Sequence, residues 1–198
     1  MPPIEPLPER LTTPRFELRR YVPSDAPGIL RLLEANRGRL ARDFPEIASG
    51  LTSLEAALDY VEDRSHRWEA RTAFTYGIGP AGSGMPIGQL TVKSLIWNLP
   101  SAELSYFVDR SWLRRGVASE AIGAVLREAF ERRAFTRIFV RVIATNSESL
   151  ALARKVGFRR EGLHRRAFRC GLGEIHDVHV LALTDHDYRE GRAGSATP

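Results

Sequence analysis

The segment spanning residues 102–130 constrains the fold of this chain more than any other. Residues 102–109 form a strand-like run, residues 113–118 a short basic turn, and the positions that follow place their apolar residues on one helix face. Gly116 lacks a Cβ, so an anion can approach the backbone in the turn. The first turn of a helix adds N–H groups without partners and the positive end of the dipole. This order predicts a phosphate-binding turn between a central strand and a helix.

The turn by itself leaves other interpretations open. A glycine between strand and helix often serves only to turn the chain, and two arginines often form only a solvated surface. No Gly-Lys-Ser/Thr follows, which excludes a Walker A loop, and the second and third glycines of the dinucleotide-binding fingerprint are absent. The candidate phosphate-binding residues are Arg114, Arg115, Gly116, Val117, Ala118 and Ser119.

A second motif lies downstream of the helix. Residues 136–142 alternate like a strand and run into Asn146-x-x-Ser149, and Lys155-x-Gly-Phe follows. Together with the Arg-x-Gly-x-Ala turn, this order of motifs resembles the GNAT superfamily of N-acetyltransferases. Within that superfamily it is most similar to the RimJ/RimL branch. The resemblance extends from about Phe16 to Tyr188.

The resemblance implies an α+β / α/β fold, in which about four helices flank a mixed central sheet of about seven strands and the central strands splay apart. It implies an enzyme that transfers the acetyl group of acetyl-CoA to a primary amine by direct attack in a ternary complex. The acceptor stays open between a protein N-terminal amine, as on ribosomal proteins, and a small amine such as an antibiotic, polyamine or amino acid. A non-catalytic acyl-CoA-binding regulator and a basic RNA- or ribosome-associated module are the alternatives outside enzymology.

The resemblance also assigns roles to residues outside the turn. The Asn146 amide is expected to bind the pantetheine arm, and the Ser149 hydroxyl to assist the leaving thiolate as a catalytic residue. The alternatives are a helix cap for Asn146 and a neutral first-turn position for Ser149. The further coenzyme-binding candidates are the strand backbone at Phe107, Val108 and Asp109 and the basic side chains of Arg154 and Lys155, for which a solvated helix face is the alternative.

Three residues are expected to bind the acceptor. Asn36 begins an Asn-x-x-x-Leu pattern like that of the RimJ/RimL branch. Where members of that branch continue with a Trp-rich segment along the acceptor cleft, this chain has Asp-Phe-Pro-Glu, which places Phe44 there. Phe168 occupies a position at which some members carry a glutamate. The departure from tryptophan leaves the identity of the acceptor undetermined.

Glu103 is the candidate general base and a fourth candidate acceptor-binding residue. A protonated amine cannot attack a thioester, so a base near the thioester must remove a proton. Glu103 lies on the central strand, on the same face as Ser105 and Phe107 because strand residues alternate. The alternative is a carboxylate paired with one of the many arginines of the chain.

Composition limits the remaining possibilities. The net charge is +5, and only Lys93 and Lys155 are lysines, yet no basic patch is interleaved with aromatic residues as in RNA-binding proteins. We therefore expect coenzyme phosphates rather than nucleic acid as the anionic ligand. Cys170 is the single cysteine, and His176 and His179 point to opposite strand faces, so no metal site is expected.

The domain organisation follows from the same patterns. We expect one domain over residues 11–190, a flexible lead-in over residues 1–10 and a disordered tail over residues 191–198. No apolar run reaches membrane-spanning length, so we expect no membrane association. A cytoplasmic monomer or homodimer is consistent with these features.

Overall fold

The computed structural model describes residues 5–195, and the side chains of residues 5–191. A single sheet of eight strands has the order β1-β2-β3-β4-β5-β6-β8-β7. The strands are β1 (Arg10–Thr12), β2 (Phe16–Arg20), β3 (Phe74–Pro80), β4 (Gly88–Ile96), β5 (Ser101–Val108), β6 (Arg137–Ile143), β7 (Arg159–Arg169) and β8 (Ile175–Thr184). Every neighbouring pair is antiparallel except β5 and β6, which are parallel.

Six α-helices accompany the sheet. They are α1 (Ala26–Asp43), α2 (Pro45–Gly50), α3 (Leu54–Glu69), α4 (Val117–Arg127), α5 (Ser147–Lys155) and α6 (Asp185–Ser195), and a π-helical turn, Glu128–Arg132, extends α4. Local signals explain several of their ends. The Ser53 hydroxyl caps α3 by accepting the Ala56 N–H, and Pro45 occupies the first turn of α2, where its missing N–H costs nothing. Within the described residues, no helix is both long and apolar enough to cross a membrane.

Two hydrophobic clusters pack against β5. The larger one holds the apolar faces of α4 and α5 together with Leu104 and Val108 of β5. The smaller one holds residues of α1 and α3 together with Phe107. Because successive strand residues face opposite sides of a sheet, β5 contributes side chains to both clusters and lies between the two helical layers.

The parallel pair β5–β6 separates along its length. Its pairing is restricted to Ser101–Glu103 opposite Arg137–Phe139. Beyond that point β5 stays paired with β4 as far as Val108, and β6 stays paired with β8 as far as Ile143. The facing edges of the two strands are left without a partner strand, which confirms the predicted splay at the centre of a mixed sheet.

The element count differs from the sequence expectation. Among the described residues, eight strands and six helices replace about seven and about four. β1 has three residues and α2 has six, too few for a periodic pattern to emerge, and α6 is the second helix that the sequence did not indicate. The expected lead-in is packed where it is described, since Leu7 is 2% exposed and the Pro8 carbonyl accepts the Tyr76 hydroxyl. Helix α6 continues to Ser195, into the expected tail. Residues 1–4 and 196–198 lie outside the described residues.

Candidate active site

The gap between β5 and β6 opens into a cleft of about 1000 Å³. Its walls come from β5 and β6, the turn before α4, the first turns of α5, the C-terminal end of α1 and the β7–β8 hairpin. The cleft thus runs between two helix N-termini, those of α4 and α5, along the unpaired edges of the splayed strands.

The backbone of β5 alternates between its neighbour β4 and the gap. The Asp109 N–H donates to the Ile87 carbonyl at 2.7 Å, and Phe107 lies opposite Gln89 in the antiparallel register. Since every second residue of an antiparallel strand bonds to the partner strand, Phe107 directs its backbone groups to β4. The Asp109 carbonyl accepts the Trp112 N–H at 2.9 Å, so both backbone groups of Asp109 also have partners. The backbone groups of Phe107 and Asp109 are therefore not free to bind a ligand in the gap, contrary to the sequence prediction.

The residues whose backbone groups face the gap are Leu104, Tyr106 and Val108. A guanidinium N–H of Arg39 donates to the Val108 carbonyl from the gap side, which agrees with this alternation. Of the three predicted backbone positions only Val108 faces the gap, and because its carbonyl accepts from Arg39, its N–H is the group left for an extended ligand. Leu104 and Tyr106 were missed because a one-residue shift in strand phase cannot be determined from the sequence of β5 alone.

The turn before α4 has the predicted anion-binding form. Gly116 occupies the N-cap position with φ of 79°, and no side chain caps the helix. The backbone of Gly116 and the first helical turn, Val117–Ser119, line the cleft, as does Arg114. Arg115 does not line the cleft, because its guanidinium lies 5.3 Å from the centre of the Trp112 ring. Of the two arginines Arg114 alone lines the cleft, and phosphate contact by either one stays a prediction.

Arg15 supports the turn from behind and was not singled out from the sequence. Its Nη1 donates to the Arg115 carbonyl at 3.0 Å, and its Nε donates to Glu120 at 2.8 Å. Burial acts to raise the pKa of Glu120, but hydrogen bonds from Thr13 and Arg15 outweigh it and hold the pKa below its usual value. About a hundred residues separate Arg15 from the turn, so no local pattern reveals the contact.

Asn146 and Ser149 begin helix α5 and line the cleft. The side-chain oxygen Oδ1 of Asn146 caps the helix by accepting the Ser149 N–H at 3.0 Å, so the alternative interpretation of Asn146 as a cap holds. The Ser149 hydroxyl lies 3.1 Å from the Tyr106 hydroxyl of β5. Burial raises the pKa of Tyr106, and the hydrogen bond with Ser149 opposes that rise. A pair of hydroxyl groups thus faces the gap.

The two basic residues at the end of α5 differ in placement. Lys155 lines the cleft together with Ala151 and Leu152, whereas Arg154 does not, since neighbouring helix positions point about 100° apart. The structure therefore separates the predicted pair, and Lys155 alone is placed to meet a ligand in the cleft.

Aromatic side chains form the wall opposite α5. Phe44 and Phe168 line the cleft as predicted, and Phe44 packs edge-on against Phe107 with ring centres 5.4 Å apart. The β7–β8 turn closes this wall against α1, because the Gly171 N–H donates to the Ala41 carbonyl at 2.8 Å. A Cβ on Gly171 would lie 2.5 Å from that oxygen, so only glycine permits the approach.

Asn36 does not line the cleft. Only 2% of it is exposed, and its Nδ2 donates to the Leu32 carbonyl and to Asp109 at 2.8 and 2.7 Å. Its Oδ1 accepts the Arg110 N–H at 3.0 Å. This corrects its assignment to the acceptor: the buried amide instead joins α1 to the end of β5.

Glu103 lines the cleft where β5 and β6 begin to separate, and it is 4% exposed. Its Oε1 accepts from Arg141 Nε at 3.0 Å and lies 3.8 Å from Lys93 Nζ. Its Oε2 accepts from the Ser94 hydroxyl at 3.3 Å. The geometry favours the ion-pair interpretation of this carboxylate, and its role as a base stays a prediction.

The described residues contain two clusters of three side chains whose potential metal-ligand atoms lie within 4.8 Å of one another. They are Cys170, Glu174 and His176 at the β7–β8 turn, and His186, Asp187 and Glu190 on α6. The sequence expectation of no metal site rested on the single cysteine and on His176 and His179, which the alternation of β8 places on opposite faces. The hairpin turn instead brings Cys170 and Glu174 close to His176.

Comparison with known proteins identifies the class of enzyme to which this geometry belongs. The chain belongs to the GNAT acetyltransferase domain family, whose model matches residues 15–159. It is therefore an acyltransferase, and its relatives are N-acetyltransferases, as the resemblance in the sequence implied.

Two relatives and one solved structure indicate the branch. Probable N-acetyltransferase YjcK of Bacillus subtilis is 27% identical over 165 residues, which cover 83% of this chain and 91% of the relative. The [Ribosomal protein uS5]-alanine N-acetyltransferase of Escherichia coli is 25% identical and covers 92% and 94%. The fold matches RimL, a ribosomal-protein α-N-acetyltransferase solved with coenzyme A, with a TM-score of 0.79 at 24% identity, covering 91% and 98%.

Proposed function

We propose that this enzyme transfers the acetyl group of acetyl-CoA to the N-terminal amine of a protein. The observation that carries the proposal is the unpaired edge of β5 from Leu104 to Val108, which leads to an uncapped N-terminus of α4. An extended ligand arm with amide groups can pair with that edge as an added strand. A pyrophosphate at the other end of the arm suits the N–H groups of the α4 turn.

The residues present fit coenzyme A. Gly116 leaves room at the backbone, and a side chain at that position would lie 2.9 Å from Arg15 Nη2. Arg114 and Lys155 line the cleft and supply positive charge for phosphates. The amide-bearing arm would lie against the backbone of Tyr106 and Val108. When bound, the coenzyme supplies an activated acetyl thioester, and the chain supplies its orientation.

The hydroxyl pair provides a proton for the departing sulfur. Ser149 and Tyr106 lie 3.1 Å apart at the gap, so either hydroxyl can donate while the other stabilises the resulting charge. Burial raises the pKa of Tyr106, which keeps it protonated at neutral pH. Ser149 is thus the proposed proton donor, with Tyr106 as its hydrogen-bond partner.

Two observations support a protein N-terminus as acceptor. The relative from Escherichia coli named above acts on an alanine of ribosomal protein uS5 according to its name, and RimL is an α-N-protein acetyltransferase according to its own. In this chain, the part of the cleft wall formed by Phe44 and Phe168 is apolar and aromatic, which suits the first side chains of a peptide better than a polycation.

The test is coenzyme A release from acetyl-CoA by the purified protein, measured with a thiol reagent. Cys170 is 3% exposed, so its thiol contributes little to the signal. Peptides beginning with alanine or serine are compared with the same peptides blocked by N-acetylation, and spermidine and free amino acids form a second panel. We expect release only with free N-termini.

Other outcomes assign the function differently. Turnover restricted to the small amines would overturn the protein acceptor and leave acetyl transfer in place. Binding of acetyl-CoA by calorimetry without turnover of any amine would support the acyl-CoA-binding regulator. A steeply salt-dependent affinity for RNA without turnover would support the ribosome-associated module.

A further inference from the structure

Asp43, the last residue of α1, is a carboxylate without a full set of partners in the cleft. Its Oδ2 accepts from Asn146 Nδ2 at 3.2 Å. Its Oδ1 is buried and has no hydrogen-bond partner among the described residues. Buried polar atoms in folded proteins nearly always have a partner, so an unsatisfied carboxylate oxygen in a ligand cleft points to a missing donor.

The orientation of the Asn146 amide is fixed by the helix that it caps. Because the side-chain oxygen Oδ1 of Asn146 accepts the Ser149 N–H, the side-chain NH₂ group must face Asp43. One chain of contacts therefore runs from Asp43 through Asn146 to Ser149 and Tyr106. These contacts link the end of α1 to the first turn of α5 and to β5.

Asp43 differs from Glu103 and Glu148, the other acids that line the cleft, and Glu148 is paired with Arg114 at 3.3 Å. Glu103 has cations at both 3.0 and 3.8 Å, and each of its oxygens already accepts a hydrogen bond. The arginines nearest to Asp43 on its own helix are engaged elsewhere, Arg39 with the Val108 carbonyl and Arg42 with the Thr145 hydroxyl. Asp43 therefore keeps one buried oxygen without a hydrogen-bond partner, whereas both oxygens of Glu103 are paired.

We propose that Asp43 binds the ammonium group of the acceptor amine and takes the proton that must leave before transfer. This inference rests on the proposed function, since it names the residue that receives the acceptor. The amine proton passes to the Asp43 carboxylate, and the nitrogen lone pair bonds to the acetyl carbon. The nitrogen then loses its second proton to solvent, the carbon–sulfur bond breaks, and the sulfur takes its proton from Ser149. The Ser149 hydroxyl regains a proton from solvent, and Asp43 releases its proton to solvent before the next turnover.

The electrostatic surroundings suit a proton acceptor. Burial raises the pKa of Asp43, and Arg42, Asn146, Arg39 and, from β8, His176 oppose that rise without cancelling it. A carboxylate with a raised pKa is a stronger base than an ordinary surface aspartate. It must be ionised to act, so activity should fall as the pH drops through that raised pKa.

The test compares Asp43→Asn with Glu46→Gln, an exposed carboxylate three residues away that does not line the cleft. We measure kcat/KM from pH 6 to 10 with the alanine peptide, or with the best acceptor of the screen. For Asp43→Asn we expect a loss of about 10²-fold at pH 7, the usual scale for a general base. The deficit should shrink above the amine pKa of about 8, with acetyl-CoA affinity unchanged and Glu46→Gln at the wild-type rate.

Thermal unfolding separates this role from a structural one. A folded-state pKa raised above the unfolded value means that ionised Asp43 disfavours the folded state at neutral pH. Asp43→Asn should therefore not lower the melting temperature at pH 7. A lowered melting temperature with a rate loss that no pH restores, or a wild-type pH profile, would overturn the assignment of Asp43 alone. No turnover of any amine by the wild-type enzyme would overturn the proposed function with it.

Discussion

Replacing Glu103 by glutamine distinguishes a general base from a structural ion pair. The variant keeps the shape of the side chain and one oxygen that accepts from Arg141, while the new NH₂ group can donate to the Ser94 hydroxyl. Only the negative charge between Arg141 and Lys93 is removed. If Asp43 is the base, this change should affect stability more than the chemistry.

The expected stability loss follows from the exposure of the two cations. A hydrogen bond to a charged group contributes about 1.5–3 kcal/mol against about 0.5–1.5 for a neutral one. The side chains of Arg141 and Lys93 are 51% and 40% exposed, so solvent screens much of the difference. We expect a loss of about 1 kcal/mol, which corresponds to a melting temperature lower by about 2–4 °C for a chain of this size.

The assays are thermal unfolding and the pH dependence of kcat/KM. Glu161→Gln is the matched control, because Glu161 pairs with Arg137 at 2.5 Å outside the cleft. Both variants should melt a few degrees below the wild type, with kcat/KM changed less than about threefold and pH profiles of unchanged shape, because a general base contributes at least about 10²-fold. A loss of about 10²-fold for Glu103→Gln that recovers at high pH would refute this reasoning and make Glu103 the base.

Two further predictions concern the coenzyme side of the cleft. Gly116→Ala forces a Cβ into a left-handed backbone at about 1–2 kcal/mol and displaces Arg15, so both the melting temperature and acetyl-CoA affinity should fall. Gly82→Ala is the control, because Gly82 has φ of 75° and a Cβ added there would meet nothing within 4 Å. It carries the same backbone strain away from the cleft and should lower only the melting temperature. Equal calorimetric affinities of the two variants for acetyl-CoA would exclude the turn as the phosphate site. Ser149→Ala should lower kcat by roughly ten- to a thousandfold with little change in acetyl-CoA affinity. Tyr106→Phe should lower kcat less than Ser149→Ala does. If chemistry is rate-limiting and Ser149→Ala leaves kcat unchanged, Ser149 has no catalytic role and is an ordinary first-turn residue of α5.

The sequence predicts the elements that depend on local patterns. Gly116 indicates the turn, because the backbone between β5 and α4 adopts a left-handed conformation that favours a residue without a Cβ. The alternation of residues 102–109 predicts β5. The order of the motifs resembles the GNAT superfamily, and that resemblance predicts the splay of the central strands. The phase of the β5 backbone is not local, because it depends on the register with β4, and so Tyr106 was missed while Phe107 and Asp109 were chosen.

Contacts between distant segments explain the remaining differences. Arg15, the residue before β2, contacts the turn, and the Asn36 side chain is hydrogen-bonded to Asp109, which lies 73 residues further along the chain. The presence of many arginines makes an ion pair for Glu103 plausible, yet nothing in the sequence indicates that Lys93 and Arg141 both reach it. Whether a carboxylate is left without a partner, as at Asp43, is likewise a property of the packed structure.

The C-terminal half of α1 connects the two strands that separate. Four contacts join it to both sides of the gap: Asn36 to Asp109, Arg39 to the Val108 carbonyl, Arg42 to the Thr145 hydroxyl, and Asp43 to Asn146. The first two lie at the end of β5, and the last two lie at the loop between β6 and α5. Positions 36, 39 and 43 share one face of the helix because they are three and four residues apart.

This arrangement has a consequence for the chemistry. Hydrogen bonds from α1 hold the ends of β5 and β6 where no strand pairing exists, so the same helix that keeps the gap open also positions Asp43 beside it. Asp43 is thus held by helix α1 and by its hydrogen bond with Asn146 rather than by a loop. A base supported in this way is held in place before the acceptor arrives, which is the condition under which proton transfer is most effective.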